Sequence, residues 1–352
     1  MRAVFIIKEL CSVILAASIF MGVPAYAAEN PPKISAEKAV LMHEDGETVF
    51  EKNADRRSLI VSTTKIMTAI VVIENCSLNE KVKIRPEYCG IEGSSMYLES
   101  GSEYSVEELL EGLMLVSGND AAEALACHCA GSGEKFAELM NCKARELDMK
   151  NSHFENPHGL DSKEHYSTAE DMAKLMAYCM KNKEFRRITA LRTAEAGGKK
   201  LFNHNKLLKL CRGCTGGKTG YTMAAGRCLV SCCRRGQTML ICVTLADRDD
   251  WNDHIKLYNW AFDNYSKRNL SKDIFYEIPV VSGEHEKCLL YAEKFEDFLP
   301  LDAKISVRAE LPFFVFAPVR AGERAGKIKI YSDGKLLGEA GLYCRSSIRA
   351  AA

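Results

Sequence analysis

Leu59-Ile60-Val61-Ser62-Thr63-Thr64-Lys65-Ile66-Met67-Thr68-Ala69-Ile70 sets a hydroxyl and an amine three positions apart, between two apolar flanks. Lys65 to Glu74 has helical periodicity, and i,i+3 spacing puts Ser62 and Lys65 on one face of a helix start. Backbone N–H groups at such a terminus favour negative charge near Ser62. A lysine in apolar surroundings can lose its proton near neutral pH and act as a base. Ser62 then becomes a candidate nucleophile. The plainer reading is an N-cap serine followed by a surface lysine. S-x-x-K alone does not separate the two.

Two later stretches bear on the choice. Ser105 to Leu115 reads as a helix, with Ser105-x-x-Glu108 as a capping box and Leu109, Leu110, Leu113 and Met114 as its buried face. It runs into Val116-Ser117-Gly118-Asn119-Asp120, after which Ala121 to Ala130 is helical again. The polar break is either a kink with capping side chains or a hydroxyl and an amide presented into a cleft. Further on, Gly216-Gly217-Lys218-Thr219-Gly220-Tyr221-Thr222 precedes a hairpin pattern, Arg227 to Cys233 and Thr238 to Leu245. Lys218-Thr219-Gly220 is therefore expected on an edge strand facing a cleft, its glycines allowing another backbone close approach. A phosphate-loop reading fails, because position 212 is Arg and strand follows rather than helix.

The remaining chain frames these stretches. Ile34 to Lys52 reads as two strands joined at Asp45-Gly46. Lys135 to Leu147, Ala169 to Met180 and Asp249 to Tyr265 read as helices, the second capped by Ser167 or Thr168. His158 and His165 sit in loop sequence and are expected to hold local hydrogen bonds. From about Asn269 the pattern becomes short alternating strands: Ile274 to Val281, Lys287 to Ala292, Lys304 to Ala309, Phe313 to Phe316, Lys327 to Tyr331 and Lys335 to Tyr343. Ser332-Asp333-Gly334 is a tight turn between the last two.

Composition excludes some function classes. The 352 residues carry 47 basic and 47 acidic side chains, so net charge gives no reason to expect nucleic acid as a partner. Arg2 and Lys8 precede an apolar run from Leu10 to Val23, and Ala25-Tyr26-Ala27 is an A-x-A signal, so export with cleavage after Ala27 is expected. Fifteen cysteines occur. Cys127-His128-Cys129, Cys211-x-x-Cys214 and Cys232-Cys233 are metal-like or redox-like spacings. No second C-x-x-C at zinc spacing accompanies them, and small apolar fillers are the expected role. No metal or cofactor is expected.

Ser62-x-x-Lys65, Ser117-Gly118-Asn119 and Lys218-Thr219-Gly220 occur in that order, the S-x-x-K, S-x-N and K-T-G set of penicillin-binding proteins and class A β-lactamases. The chain resembles a serine-type D-alanyl-D-alanine carboxypeptidase, a low-molecular-mass penicillin-binding protein. The matching stretches are Ser62 to Ala69, Ser117 to Ala121, Asn156 to Ala173, Asn203 to Leu208 and Lys218 to Leu229. Gly118 replaces the Asp of S-D-N, and Thr215 stands where the family often has Asp.

The resemblance implies an α+β fold, an antiparallel sheet with helices on its faces as in penicillin-binding proteins and β-lactamases. It implies a catalytic domain over residues 28–268, after a signal peptide over 1–27, and a small all-β domain over 269–352. It implies Ser62 as the acylated nucleophile, Lys65 as its base and Ser117 as proton relay. Asn119 would hold Lys65 and the substrate amide. Lys218 and Thr219 would meet the terminal carboxylate, beside Gly220 and Tyr221, with the Ser62 and Tyr221 N–H groups as oxyanion hole. The implied substrate is the peptidoglycan pentapeptide ending in D-Ala-D-Ala, with β-lactams as covalent inhibitors. The alternatives are a transpeptidase or endopeptidase, a β-lactamase, or a non-catalytic wall-binding protein. The absence of an E-x-x-L-N arrangement between Asn119 and Lys218 argues against class A. Many members end in an amphipathic membrane helix; only Arg345 to Ala352 follows the last expected strand here, too little for such an anchor.

Overall fold

A computed structural model describes residues 18–20 and 30–352; the expected leader cleavage lies outside them. Two compact units divide the chain, Asn30–Asp263 and Asn264–Ala352.

In the first unit, β1 (Lys38–His43) and β2 (Thr48–Lys52) open a five-stranded antiparallel sheet. It is completed by β3 (Cys214–Thr222), β4 (Gly226–Arg235) and β5 (Thr238–Asp247), in the order β2-β1-β5-β4-β3. β3 is thus an edge, as its glycines suggest.

The central strands are buried on both faces, and alternation sorts their side chains. Val230 and Cys232 of β4, with Ile241 and Val243 of β5, join the large core. Ser231 of β4 and Thr244 of β5 point to the other face, where both hydrogen-bond His254 at 2.7 and 3.0 Å. His254 belongs to α-helix Asp250–Asn264, which covers that face with buried Leu257, Tyr258 and Ala261. Cys232 and Cys233 accordingly point apart, both fully buried.

The large core is helical on its far side: α1 (Lys65–Asn75), α2 (Val106–Leu115), α3 (Asn119–Ala130), α4 (Gly133–Glu146) and α5 (Ala169–Cys179). The Ser105 capping box forms: its hydroxyl accepts from the Glu108 N–H at 3.1 Å, and Glu108 accepts from the Ser105 N–H at 2.7 Å. That closes the first turn of α2 and fixes its phase, so Leu109, Leu110, Leu113 and Met114 are all buried. Each such burial is worth about 1.5–3 kcal/mol. α2 stops at Leu115, and α3 begins at Asn119, two residues earlier than its composition suggests.

The second unit has its own apolar cluster, around Leu290, Val307, Ile328, Ile330 and Leu342. Its main sheet orders Ile305–Glu310, Arg324–Ser332, Lys335–Cys344, Lys287–Ala292, Phe275–Val281 and Val315–Phe316. The Ser332–Gly334 turn forms, with Asp333 and Gly334 both at positive φ. Two strands were not expected: Tyr265–Asn269, taken in part for helix, pairs with Glu296–Pro300. Phe298 and Leu299 are adjacent and both buried, which hides the period-2 signal there.

Candidate active site

Val61–Thr64 forms a 3-10 turn that runs directly into α1. Val61 has φ 42, a backbone conformation that a β-branched residue rarely adopts. The strained residue immediately precedes Ser62, a placement typical of functional sites. Two glycines permit the turn's close neighbours. A Cβ on Gly159 would lie 2.0 Å from the Val61 carbonyl oxygen, and one on Gly220 would lie 2.4 Å from Val61 Cγ2 and 3.0 Å from the Ser62 nitrogen. The edge strand β3 therefore passes right beside the Ser62 amide.

The first turn of α1 carries Lys65 inward, fully buried. Its Nζ lies 3.1 Å from Ser62 Oγ, 2.6 Å from Asn119 Oδ1 and 2.7 Å from the His158 carbonyl oxygen. Burial, reinforced by the nearby charge of Lys218, holds its pKa well below the ordinary lysine value, against the opposing pull of Asp120. A neutral amine can donate to the two carbonyl oxygens and turn its lone pair to the Ser62 hydroxyl. That geometry is one in which a base can take a proton from a neighbouring hydroxyl.

The α2–α3 break contributes the second hydroxyl. Ser117 has φ 64 and is buried. It does not cap α3: Gly118 occupies the N-cap without a side-chain bond. Instead Ser117 Oγ accepts from Lys218 Nζ at 2.9 Å, and Lys218 also donates to the Thr219 carbonyl at 2.8 Å. Burial lowers the Lys218 pKa to about 7. Asn119 is held at both ends: Lys65 on Oδ1, and the Glu92 carbonyl, which accepts from Nδ2 at 2.5 Å. One of its amide N–H groups is thus committed within the protein.

Ser62, Ser117, Thr219, Gly220 and Tyr221 line one cavity of about 380 Å³. Of the residues expected at the site, Lys65, Asn119 and Lys218 stand behind this wall, tied to it by the bonds above. His158 and His165 are not on it. His165 Nε2 bonds Thr64 Oγ1 at 2.8 Å, its Nδ1 accepts from the Glu155 N–H, and burial takes its pKa down to about 4. It braces the Val61–Thr64 turn.

Sequence reasoning missed other parts. Asp120 accepts from the Met96 and Leu98 N–H groups, each at 3.0 Å, and from Ser95 Oγ at 2.6 Å. It thereby fixes the loop whose Ser94 lines the cavity and whose Ser94 carbonyl accepts from the Asn119 N–H at 2.7 Å. The adjacency of Asp120 to the S-x-N stretch was the available signal. Arg227, Asp250 and Trp251 form a further wall, for which the sequence carried none. Among the described residues no cluster of three or more His, Cys, Asp or Glu could hold a metal; His128 pairs with Glu80 instead.

The sequence model of the peptidase S11 family, D-alanyl-D-alanine carboxypeptidase, matches residues 25–249. The chain belongs to that family. It is 31% identical to the Bacillus subtilis D-alanyl-D-alanine carboxypeptidase DacF over 340 residues, 90% of this chain and 86% of the relative. Penicillin binding protein 5 from Haemophilus influenzae superposes with a TM-score of 0.74 at 30% identity, covering 91% of this chain and 99% of that one. A Streptomyces DD-transpeptidase superposes with a TM-score of 0.63 at 34% identity, covering 66% and 99%. The chain is a serine-type D-alanyl-D-alanine carboxypeptidase of the penicillin-binding kind, acting in peptidoglycan metabolism. Its fold is the α+β fold of those proteins.

Proposed function

We propose that this carboxypeptidase removes the terminal D-alanine of peptidoglycan pentapeptide stems through an acyl-enzyme on Ser62. Ser62 Oγ attacks the carbonyl between the two D-alanines as Lys65 Nζ takes its proton. The C–N bond breaks, and the leaving amine receives a proton through Ser117, which Lys218 supplies. The Ser62 and Tyr221 N–H groups hold the oxyanion, a contribution typically worth on the order of a hundredfold or more per donor. Thr219 and Lys218 face the substrate's terminal carboxylate along the edge strand, and water hydrolyses the ester. β-Lactams enter the same path and stop at the acyl-enzyme.

The carrying observation is the 3.1 Å approach of a fully buried, proton-shedding Lys65 Nζ to Ser62 Oγ. Intact-mass analysis after penicillin treatment tests it, with Ser62→Ala as control. One adduct on the Ser62 peptide, lost in the variant, is expected; an adduct elsewhere overturns the assignment. The likeness to a Streptomyces DD-transpeptidase favours a second reading, in which an amine replaces water as acceptor. Product analysis with added D-amino acid acceptors measures that share. Action is extracytoplasmic, as the wall-directed family implies, and export by cleavage after Ala27 is the route we propose. Among the described residues no helix is long and apolar enough to cross a membrane. We assign catalysis to residues 28–268 and a supporting role to the all-β unit.

A further inference from the structure

The cation set out for the substrate's carboxylate is an unreliable one. Lys218 is buried, and its Nζ already donates to Ser117 Oγ and to the Thr219 carbonyl. Its pKa of about 7 leaves it only partly charged at neutral pH. A carboxylate is recognised best by a donor that keeps its charge at every physiological pH and offers a planar fork, which is a guanidinium.

One guanidinium lines the cavity. Arg227 lies on β4 directly opposite Tyr221 of β3. Side chains alternate along a strand, so Tyr221 shares its face with Thr219. Arg227 thus lies beside the same edge-strand face as the hydroxyl that is proposed to meet the carboxylate. It is half-exposed, and among the described residues its guanidinium has no hydrogen-bond partner. Its ion-pair partner is Asp250, at 3.8 Å, too long for a hydrogen bond. Asp250 is itself buried, and one of its carboxylate oxygens accepts from the Trp251 N–H. The arginine is therefore held over the cavity by charge, with its N–H groups open to the solvent side where a ligand would enter.

We infer that Arg227, steadied by Asp250, supplies the permanent positive charge that binds the terminal carboxylate of the substrate. This inference rests on the carboxypeptidase reading of the cavity. It assigns Lys218 chiefly to proton transfer with Ser117 and makes Arg227 the determinant of preference for a free carboxyl terminus.

The test is the KM and kcat of wild type, R227Q and R227K on a D-Ala-D-Ala peptide from pH 6 to 8.5. The titratable groups around Lys218 are Lys65 and His204; around Arg227 they are Asp250 and, opposite on β5, Asp247, and Lys206 lines the same cavity. Loss of a charge-assisted contact should lower kcat/KM about ten- to a hundredfold, chiefly through KM. In R227Q the cations left at the cavity are Lys206 on its rim and Lys218 beside Ser117, and the protonated fraction of Lys218 falls about 30-fold across that range. The ratio of wild-type to R227Q kcat/KM should therefore widen with rising pH, and R227K should recover part of the loss. A ratio flat with pH, a loss confined to kcat, or an R227Q enzyme with wild-type KM at pH 8.5 overturns the inference. Failure of the wild type itself to release D-alanine would instead strike the underlying reading.

Discussion

Replacing Gly220 by alanine isolates the role of backbone proximity, because no side-chain chemistry changes. The new Cβ would sit 2.4 Å from Val61 Cγ2 and 3.0 Å from the Ser62 nitrogen. Carbon–carbon contacts settle at about 3.5–4.0 Å, so the strand and the Val61–Thr64 turn must separate by about 1.1–1.6 Å. Val61 cannot yield cheaply, being β-branched and already held at φ 42. Gly220 itself is not at positive φ, so the penalty is steric. Overpacking of this kind costs about 1–3 kcal/mol. A domain of this size would lose about 2–12 °C in Tm and stay folded at 25 °C. A misplacement of about 1 Å between nucleophile and substrate channel costs about a hundredfold in rate. The assay is the second-order rate of penicillin acylation, followed by fluorescence, alongside Tm and kcat/KM on peptide. A variant that keeps its acylation rate within a factor of three would refute the claim that the β3–Ser62 spacing sets the reaction geometry.

Asp120→Ala removes the acceptor of three hydrogen bonds to the Ser95–Leu98 segment and leaves two backbone N–H groups unpaired. We expect a loss of about 2–5 kcal/mol in urea unfolding, with acylation slowed because the Asn119 anchor on Ser94 loosens. Stability should also depend on pH. Lys218 is protonated in the unfolded chain up to about pH 10.5 but sheds its proton at about 7 when folded. The unfolded state thus binds more protons above pH 7, and stability should rise from pH 7 to 8.5 by at most ~1.4 kcal/mol per unit. Lys218→Met should flatten that rise in paired urea titrations. On the acid side His158, His165 and His254 keep folded pKa values of about 4, 4 and 3 because they are buried. Unfolded histidines take up protons below about 6.5, so stability should fall from pH 6.5 toward 4. His254→Gln should lessen the slope, and an unchanged slope would exclude that residue as a contributor.

The parts of the fold that were legible carry their instructions locally. The Ser105 capping box and the i,i+3,i+4 leucines of α2 specify one helix in one phase, and the glycines of 216–220 mark an edge approached by another backbone. The strand pair Tyr265–Asn269 and Glu296–Pro300 carries no such instruction, since Tyr-Ser-Lys-Arg-Asn has no apolar alternation and becomes strand through a partner some thirty residues away. The site divides the same way. Ser62, Lys65, Ser117 and Lys218 are readable as motifs because their chemistry is tied to short spacings. Asp120 acts through distant backbone and is marked only by its adjacency to the S-x-N stretch; Arg227 and Asp250 act through cross-strand and helix neighbours, and nothing in their own surroundings in sequence marks them.

The protonation state of the pair of buried lysines is the property that neither motif could convey. Two ammonium groups in one low-dielectric pocket repel, and the charge of Lys218 is among the causes that depress Lys65. The pocket therefore favours at most one proton on the two amines. Lys65 gives its proton up because burial and the charge of Lys218 both disfavour it there, and Lys218 keeps a proton part of the time. Arrival of a substrate carboxylate adds negative charge beside Lys218 and raises its pKa, so binding draws a proton onto that amine. In the proposed mechanism this charges the donor behind Ser117 only when a leaving amine is present to receive it. The proton drawn onto Lys218 in turn repels one on Lys65, so the base stays neutral while the donor is charged.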